Sequence, residues 1–438
     1  LTHCVEATKG WPVARVREVV RGPLFGPVRS EAVVASKGRI LLLENIHPGA
    51  KAYLEQEGFE IDLQTKALAE ADLIKAAKGC VAVGIRSKTK FTKGAVEALR
   101  GDVRAIGAFC IGTNQIDLES AKQNGIAVFN APFSNTRSVA ELIIAEIVML
   151  SRRLGDRVKE MHRGQWNKSA AGSYEVRGKT LGIIGYGHIG RQLGVLAESF
   201  GMHVMFYDVS ARLPMGNNRA ASALETVLHE ADFVTLHVPE TPQTRDMIGE
   251  QQIAMMKPGA FLLNASRGTV VVVPALAAAL KSGHLGGAAI DVFPEEPEGN
   301  DGVFAVELQE LPNVILTPHI GGSTAEAQVA IGQEVSAALG KFLQLGTTVG
   351  SVNFPITEMP LRPGAHRIAH VHRNVPGVLR DVNRIVSEAE ANVVGQVLAT
   401  DPTIGYLVID VENASAVSAV LVDRMRELPT TLRADFLY

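Results

Sequence analysis

Cysteine is scarce in this chain. Cys4, Cys80 and Cys110 are scattered through 438 residues, too few and too far apart for a disulfide framework or a thiolate metal site, and that usage predicts a reducing cytoplasm and no metal. Long apolar runs are lacking too. Leu142 to Leu150 and Val270 to Leu280 are short and broken by Glu146 or Pro274, which excludes a membrane-spanning helix there. Excess charge of one sign is absent: the net charge is −3, so nothing points to nucleic acid or an anionic membrane as partner. Hydrophobic residues are plentiful at 46%, enough for substantial cores, and 438 residues suggest two to four domains. Residues 1–36 differ from the rest. Arg15, Arg17, Arg21 and Arg29 alternate with proline and glycine, and no long apolar stretch marks a secretory signal. Glu6, Glu18 and Glu31 weigh against a transit peptide, so the segment is expected to be a disordered leader or a mis-called start.

From Arg39 onward, short apolar runs alternate with helical stretches. Runs 39–43, 59–63, 80–85 and 103–108 read as strands, with helices near 51–57, 70–77, 92–99 and 118–123 between them. Such alternation implies a parallel sheet covered on both faces. A long helix is predicted over 138–154, with Ser138 as its cap and Glu141 at the capping-box position. Six further strand-like runs follow at 181–185, 203–207, 232–237, 260–264, 287–291 and 314–317, matching two mononucleotide-binding halves. A helix over 324–345 is expected to return to the first sheet. Beyond Ser351, a proline-rich linker at 351–364 leads into a β-α-β-β-α-β order, a ferredoxin-like unit.

Gly185-Tyr186-Gly187-His188-Ile189-Gly190 directly follows the strand run at 181–184, and Asp208 ends the next strand about 20 residues on. The glycines let backbone approach a pyrophosphate, and the following helix N-terminus supplies positive potential. The carboxylate at 208 accepts from a ribose and repels a 2′-phosphate, so NAD is favoured over NADP.

Three clusters fall at the carboxyl ends of predicted strands, where open α/β sheets place their sites. In Asn264-Ala265-Ser266-Arg267-Gly268, the arginine suits a two-pronged grip on a carboxylate. Asp291-Val292-Phe293-Pro294-Glu295-Glu296-Pro297 offers acids, and Leu316-Thr317-Pro318-His319-Ile320-Gly321-Gly322 offers an imidazole. Oxidising a secondary alcohol needs a base near neutral pH, which histidine provides, and a carboxylate on the other ring nitrogen orients it and raises its pKa. The residues alone leave open whether Glu295 or Glu296 is that partner.

These stretches, with Phe109-Cys-Ile-Gly-Thr-Asn-Gln115 and Asn130–Glu141, resemble the D-isomer-specific 2-hydroxyacid dehydrogenases from about Lys37 to the C-terminus. The resemblance implies a flavodoxin-like substrate domain (37–133 and 320–350), a Rossmann NAD domain (134–319), a linker at 351–364 and a ferredoxin-like ACT regulatory domain at 365–438. It implies Arg267, Glu296 and His319 as the catalytic trio. The cofactor positions would be Gly185, Gly187, His188, Ile189, Gly190, Asp208, Ala265, Ser266, Arg267, Asp291, His319, Ile320, Gly321 and Gly322. Arg86, Ser87, Lys88, Asn135 and Lys168 would lie near the substrate; by themselves the basic members read as solvated surface charge.

Phe133-Ser-Asn-Thr-Arg-Ser138 and the C-terminal module narrow the resemblance to members acting on 3-phospho-D-glycerate in serine synthesis, with serine as allosteric inhibitor at His372, Asn374 and Asn392 and a homotetramer as the assembly. Another 2-hydroxyacid substrate (2-hydroxyglutarate or glyoxylate) and a non-enzymatic NAD-sensing corepressor are the alternatives. One position departs from the family: Val272 stands where an acid is usual, just before Pro274, the expected first residue of a helix.

Overall fold

A computed structural model of the protein describes residues 36–297, 302, 304–412 and 415–438; the expected leader, apart from Ser36, lies outside the described residues. Three sheets organise the chain.

The first contains β1 (Arg39–Leu42), β2 (Glu60–Leu63), β3 (Cys80–Ile85), β4 (Ala105–Ala108) and β5 (Ala127–Asn130), all parallel in the order β2-β1-β3-β4-β5. Every residue of β4 is buried, as expected of a strand covered on both faces. The sequence pattern separates four strands here. It misses β5, because a four-residue run between a short helix and a proline motif carries no alternation of its own. Helix Ala325–Leu345 returns to this sheet, and its Ile331, Val335, Leu339 and Phe342 share a core with Ile40, Leu42, Ala105 and Phe129.

The second sheet contains β6 (Thr180–Ile184), β7 (His203–Tyr207), β8 (Arg219–Ala220), β9 (Phe233–Leu236), β10 (Ala260–Asn264), β11 (Leu285–Ile290) and β12 (Val314–Leu316). Its order is β12-β11-β10-β9-β6-β7-β8, again parallel throughout. The strand order reverses between β6 and β9, which opens a crevice above their carboxyl ends. Six of these strands match the expected runs. The seventh, β8, is two exposed residues long and leaves no hydrophobic signature.

The helix predicted over 138–154 is instead two helices, Thr136–Ser151 and Leu154–His162, parted at Arg152 and Arg153, the latter left-handed. Ser138 does not cap. It lies inside the first turn, where its hydroxyl pairs with Thr324 Oγ1 at 2.7 Å, while Glu141 pairs with Arg137 on the exposed face. Val139, Ile143, Ile147 and Leu150 recur at helical spacing and bury against Leu181, Ile183 and Leu263.

The third sheet holds β13 (His366–Arg373), β14 (Asn392–Thr400), β15 (Ile404–Glu412) and β16 (Thr431–Phe436), antiparallel in the order β14-β15-β13-β16. Alternation along β13 and β15 gives it two faces. Ile368, Leu407 and Ile409 pack under helices Val378–Glu388 and Ser415–Arg426. Ala369, Val371, Tyr406 and Val408 turn the other way and join the first core beside Phe342 and Phe354.

Val272 precedes helix Val273–Lys281 and makes no side-chain cap, and Pro274 is the second helical residue rather than the first. Its backbone is extended, as a capping residue requires. Val272→Asp is expected to stabilise the fold by about 0.5–1 kcal/mol, measured as a rise in Tm with kcat unchanged.

Candidate active site

His319 sits just beyond β12 with a left-handed backbone, φ 53°. Its own N–H donates to the Asp291 carbonyl at 2.8 Å. The Asp291 carboxylate, buried beyond β11, accepts from Thr317 Oγ1 at 2.6 Å and from the N–H groups of Ile320 and Gly321 at 2.8 Å each. Those bonds curl residues 317–321 around one acid and present the imidazole at the crevice.

His319 Nδ1 lies 2.8 Å from Glu296 Oε2. A carboxylate only accepts, so Nδ1 carries the proton and Nε2 keeps its lone pair. The hydrogen bond to Glu296 raises the imidazole pKa above its ordinary value against the opposing effect of burial. Burial pushes the Glu296 carboxyl up, but the bonds from His319 and from the Phe293 N–H outweigh it and hold the acid low. Of the two adjacent acids it is Glu296 that pairs with the ring.

Arg267 reaches the same place from β10. Asn264, buried at the strand end, accepts from Ser266 N–H and Oγ at 3.0 and 2.8 Å and donates through Nδ2 to the Arg267 carbonyl at 3.0 Å. Gly268 then presses the loop onto its neighbour. A Cβ there would fall 1.9 Å from the Phe293 carbonyl carbon, so only glycine lets the Arg267 loop meet the loop carrying Glu296. Arg267 acts electrostatically on both His319 and Glu296.

The crevice between β6 and β9 begins at Gly185, φ 92°, whose missing Cβ would meet the His237 carbonyl oxygen at 2.3 Å. At Gly187 a Cβ would meet nothing within 4 Å, which leaves open space above the N-terminus of helix His188–Ser199. Gly190 allows that helix to approach the Gly185 carbonyl. Asp208 accepts from Tyr186 N–H at 2.9 Å and Ser210 N–H at 2.8 Å, fixing its carboxylate beside the glycine loop.

Comparison with known proteins agrees with this layout. The model of the D-isomer specific 2-hydroxyacid dehydrogenase NAD binding domain matches residues 144–321, and that of the AHAS small subunit-like ACT domain matches residues 368–433. D-3-phosphoglycerate dehydrogenase of Dictyostelium discoideum is 53% identical over 403 residues, spanning 92% of this chain and 98% of that protein. The Escherichia coli (strain K12) protein of the same name is 50% identical, with the same coverage of 92% and 98%. This chain belongs to the D-isomer-specific 2-hydroxyacid dehydrogenases.

Solved members of the family share the fold. D-2-hydroxyisocaproate dehydrogenase superposes with a TM-score of 0.65 at 26% identity, covering 72% of this chain and 100% of that one. The D-isomer specific 2-hydroxyacid dehydrogenase of Lactobacillus delbrueckii ssp. bulgaricus, in its NAD complexed form, gives 0.63 at 28% identity, with coverage of 72% and 100%. NAD is the cofactor of this dehydrogenase, and the glycine cradle, the helix N-terminus and the fixed Asp208 fit it. His188 and Ile189 open the helix after the glycine loop, and Ala265 and Ser266 follow β10; the His188 ring lies against Phe133, centroids 3.9 Å apart. Asp291 is 1% exposed, and its carboxylate accepts the three bonds that shape the His319 turn.

The expected substrate residues sit in different surroundings. Arg86 lines a cleft with Asn45, His47, Ser323 and Thr324. Asn135 is buried against Gly322, with Oδ1 unpartnered. Ser87 and Lys88 are exposed, and their loop is tied down by Glu44, whose buried carboxylate accepts from the N–H groups of Lys88 and Thr89 at 2.9 and 2.8 Å. Lys168 lies in a wholly exposed stretch, 161–172. Glu44 and Asn264 were not singled out from sequence, because acids and amides at strand ends are common and only the folded loops show what they brace.

The regulatory trio also splits. His372 is buried opposite Gly405, whereas Asn392 pairs with Glu412 at the far end of β15. Seven residues of strand separate those two positions, roughly 23 Å at about 3.3 Å per residue. Asn374 stays near His372, donating to the Asp401 carbonyl at 2.7 Å.

Glu296→Gln removes the charge that raises the His319 pKa. The neutral ring is the form that accepts a proton, so kcat/KM for oxidation rises with pH through that pKa. The variant's profile is expected to move to lower pH, read from kcat/KM against pH with the wild type alongside.

Proposed function

We propose that this dehydrogenase oxidises 3-phospho-D-glycerate to 3-phosphohydroxypyruvate with NAD, the step that opens phosphorylated serine synthesis. The observation that carries the reading is the His319–Glu296 pair, with Nε2 left as a base beside Arg267. About half of all residues are shared with proteins named for this reaction across 92% of the chain.

When bound, NAD supplies the acceptor for the hydride that leaves C2. His319 Nε2 takes the hydroxyl proton as the carbonyl forms, and Glu296 stabilises the resulting imidazolium through Nδ1. Arg267 grips the substrate carboxylate and the developing keto oxygen with its planar fork. In the reverse direction the imidazolium returns the proton. The C-terminal ACT module weighs against a cofactor-sensing corepressor more than the trio does.

Substrate enters between the domain of residues 37–133 and 320–350 and the NAD domain of residues 134–319, with Arg86, Ser87, Lys88 and Asn135 on the substrate side. Serine acts at the ACT domain, residues 365–438, joined through the linker at 351–364. Because His372 and Asn374 lie at one end of the sheet and Asn392 at the other, the serine site is completed by two copies meeting across a two-fold axis. A homotetramer fits a second feature: Leu154, Val158 and Met161 form an exposed apolar row, followed by Trp166 at 81% exposure, and burial of that surface against another copy also brings Lys168 toward a neighbouring cleft. The described helices include none long and apolar enough to cross a membrane, and we place the enzyme in the cytoplasm.

His319→Ala is expected to lower kcat/KM at least about 10²-fold while NADH binding is kept; near-normal turnover refutes the mechanism. Wild-type protein is expected to prefer 3-phosphohydroxypyruvate to hydroxypyruvate in kcat/KM, and parity would favour a different hydroxy acid. Calorimetry on the full chain is expected to detect serine, with binding lost in Asn374→Ala; absence of binding to the wild type ends the case for feedback control.

A further inference from the structure

Asp208 does not stand alone at the end of β7. Backbone already engages both of its oxygens: Oδ2 accepts from the Tyr186 N–H at 2.9 Å and Oδ1 from the Ser210 N–H at 2.8 Å. Oδ1 also faces Arg212, whose Nε lies 3.5 Å away. That is longer than a charged hydrogen bond, so the pair is held by charge rather than by a shared proton. The Arg212 side chain is 39% exposed, against 10% for that of Asp208. Among the described residues Arg212 pairs with no other acid, and its guanidinium donates no hydrogen bond within the chain. Its terminal N–H groups are available to a ligand.

The loop that carries Arg212 has fixed ends. Tyr186, stacked on Phe206 with centroids 3.6 Å apart, ties it twice: its N–H donates to Asp208, and its phenol oxygen accepts from the Met215 N–H at 3.1 Å. The phenol donates in turn to Asn218 Oδ1 at 2.7 Å. Asn218 Nδ2 donates to Glu198, on the helix that follows the glycine loop, also at 2.7 Å. Glu198 Oε1 takes the Asn217 N–H as well, so this acid is occupied in pinning the loop. On the Tyr186 phenol the charges of Arg191 and Glu198 act in opposite senses. Asp208 and Arg212 therefore set the local charge, on a loop anchored to the glycine cradle.

We propose that Arg212 gives the ribose end of the crevice both signs of charge, so that a dinucleotide carrying a 2′-phosphate serves as a second, weaker coenzyme. A lone acid at this place favours the free 2′-hydroxyl, whereas an arginine nearby accommodates a 2′-phosphate. Here both stand on one loop. A ribose hydroxyl donates to Asp208, which keeps acceptor capacity on Oδ2. A 2′-phosphate instead draws the Arg212 fork, whose planar N–H groups match phosphate oxygens two at a time. NAD stays preferred because Asp208 is the more buried and more firmly held of the two. The chemistry is the same with either coenzyme: hydride passes to the keto carbon, and the His319 imidazolium supplies the proton to its oxygen.

The first test is of binding. Calorimetry on the full chain compares ADP-ribose with its 2′-phosphate, so the keto acid plays no part and a failure of the substrate reading leaves the result intact. The wild type is expected to bind both, the 2′-phosphate more weakly. Arg212→Ala is expected to weaken the 2′-phosphate at least about tenfold relative to ADP-ribose. Asp208→Asn is expected to move that ratio the other way, and adding Arg212→Ala to it removes the gain. The ratio of kcat/KM for NADPH to that for NADH should follow the same order across the four proteins. Circular dichroism and Tm show whether each variant is folded. If folded Arg212→Ala keeps both wild-type ratios, the guanidinium is a solvated surface charge and the proposal is overturned. It is equally overturned if the wild type neither binds the 2′-phosphate nor turns over with NADPH, and the assignment of NAD is untouched by that outcome.

Discussion

Asp291 receives the Thr317 hydroxyl and the N–H groups of Ile320 and Gly321 on one buried carboxylate. The rest of the site depends on that convergence. A histidine in the left-handed region costs about 1–3 kcal/mol, and it persists only where its surroundings over-determine it. Hydrogen bonds to a charged group contribute about 1.5–3 kcal/mol each, so three of them outweigh the strain. Once the turn is fixed, the His319 ring meets Glu296 without further adjustment. Behind Asp291, Glu146 is 2% exposed on helix Thr136–Ser151, and burial, with the negative charge of Asp291, pushes its carboxyl up to about 8. It therefore stays protonated at neutral pH. A second ionised acid there would repel the Asp291 carboxylate, and a proton on Glu146 avoids this.

The two loops that meet at the site are held together by absence rather than by a bond. Gly268 has no side chain, so backbone lies against backbone at Phe293, and the guanidinium of one loop comes to act on the acid of the other and on the His319 imidazole. Nearby, Cys110 is inert: burial pushes its thiol up to about 11, even though Gln115 donates to it. His237, at the end of β9, is kept neutral by burial, its pKa pulled down to about 3, so it adds no positive charge beside the glycine loop. His319, by contrast, has a carboxylate partner that raises its pKa.

Long periodic elements and glycine-punctuated motifs were legible in the sequence because their cause is local. Helix Glu70–Ala77, strand His203–Tyr207 and the third sheet's β-α-β-β-α-β order all follow from spacing and turn residues. The Gly185–Gly190 cradle was legible for the same reason. What stayed hidden depends on partners far along the chain. Ser138 looks like a cap until Thr324, 186 residues later, takes its hydroxyl. Asp291 reads as one acid of a cluster until the turn at 317–321 folds onto it and shows what its carboxylate holds. Glu146 looks like a break in an apolar helix, yet it is buried, because burial of an uncharged carboxyl costs far less than burial of a carboxylate. His372 and Asn392 look like one site until the strand register puts them at opposite ends of β15.

Helix Ala325–Leu345 connects the site to the regulatory module. Its first turn borders the cleft and is tied to the NAD side by the Ser138–Thr324 contact. Its last turn is gripped from the third sheet. Arg367 is fully buried, donates to Asp410 at 2.7 and 2.8 Å, and spends its remaining N–H groups on the carbonyls of Leu345, Met359 and Pro360. A buried guanidinium is tolerated only when its charge is paired and every donor is used, so this arrangement admits one geometry of helix, linker and sheet rather than a range. Arg433 adds bonds to the carbonyls of Arg100 and Val103, and Arg104 pairs with Asp435, at the other edge of the same contact. Twenty-one residues of helix span about 31 Å. The module is therefore not a loosely tethered passenger. Its sheet holds one end of a 21-residue rod whose other end lies beside the turn that carries His319.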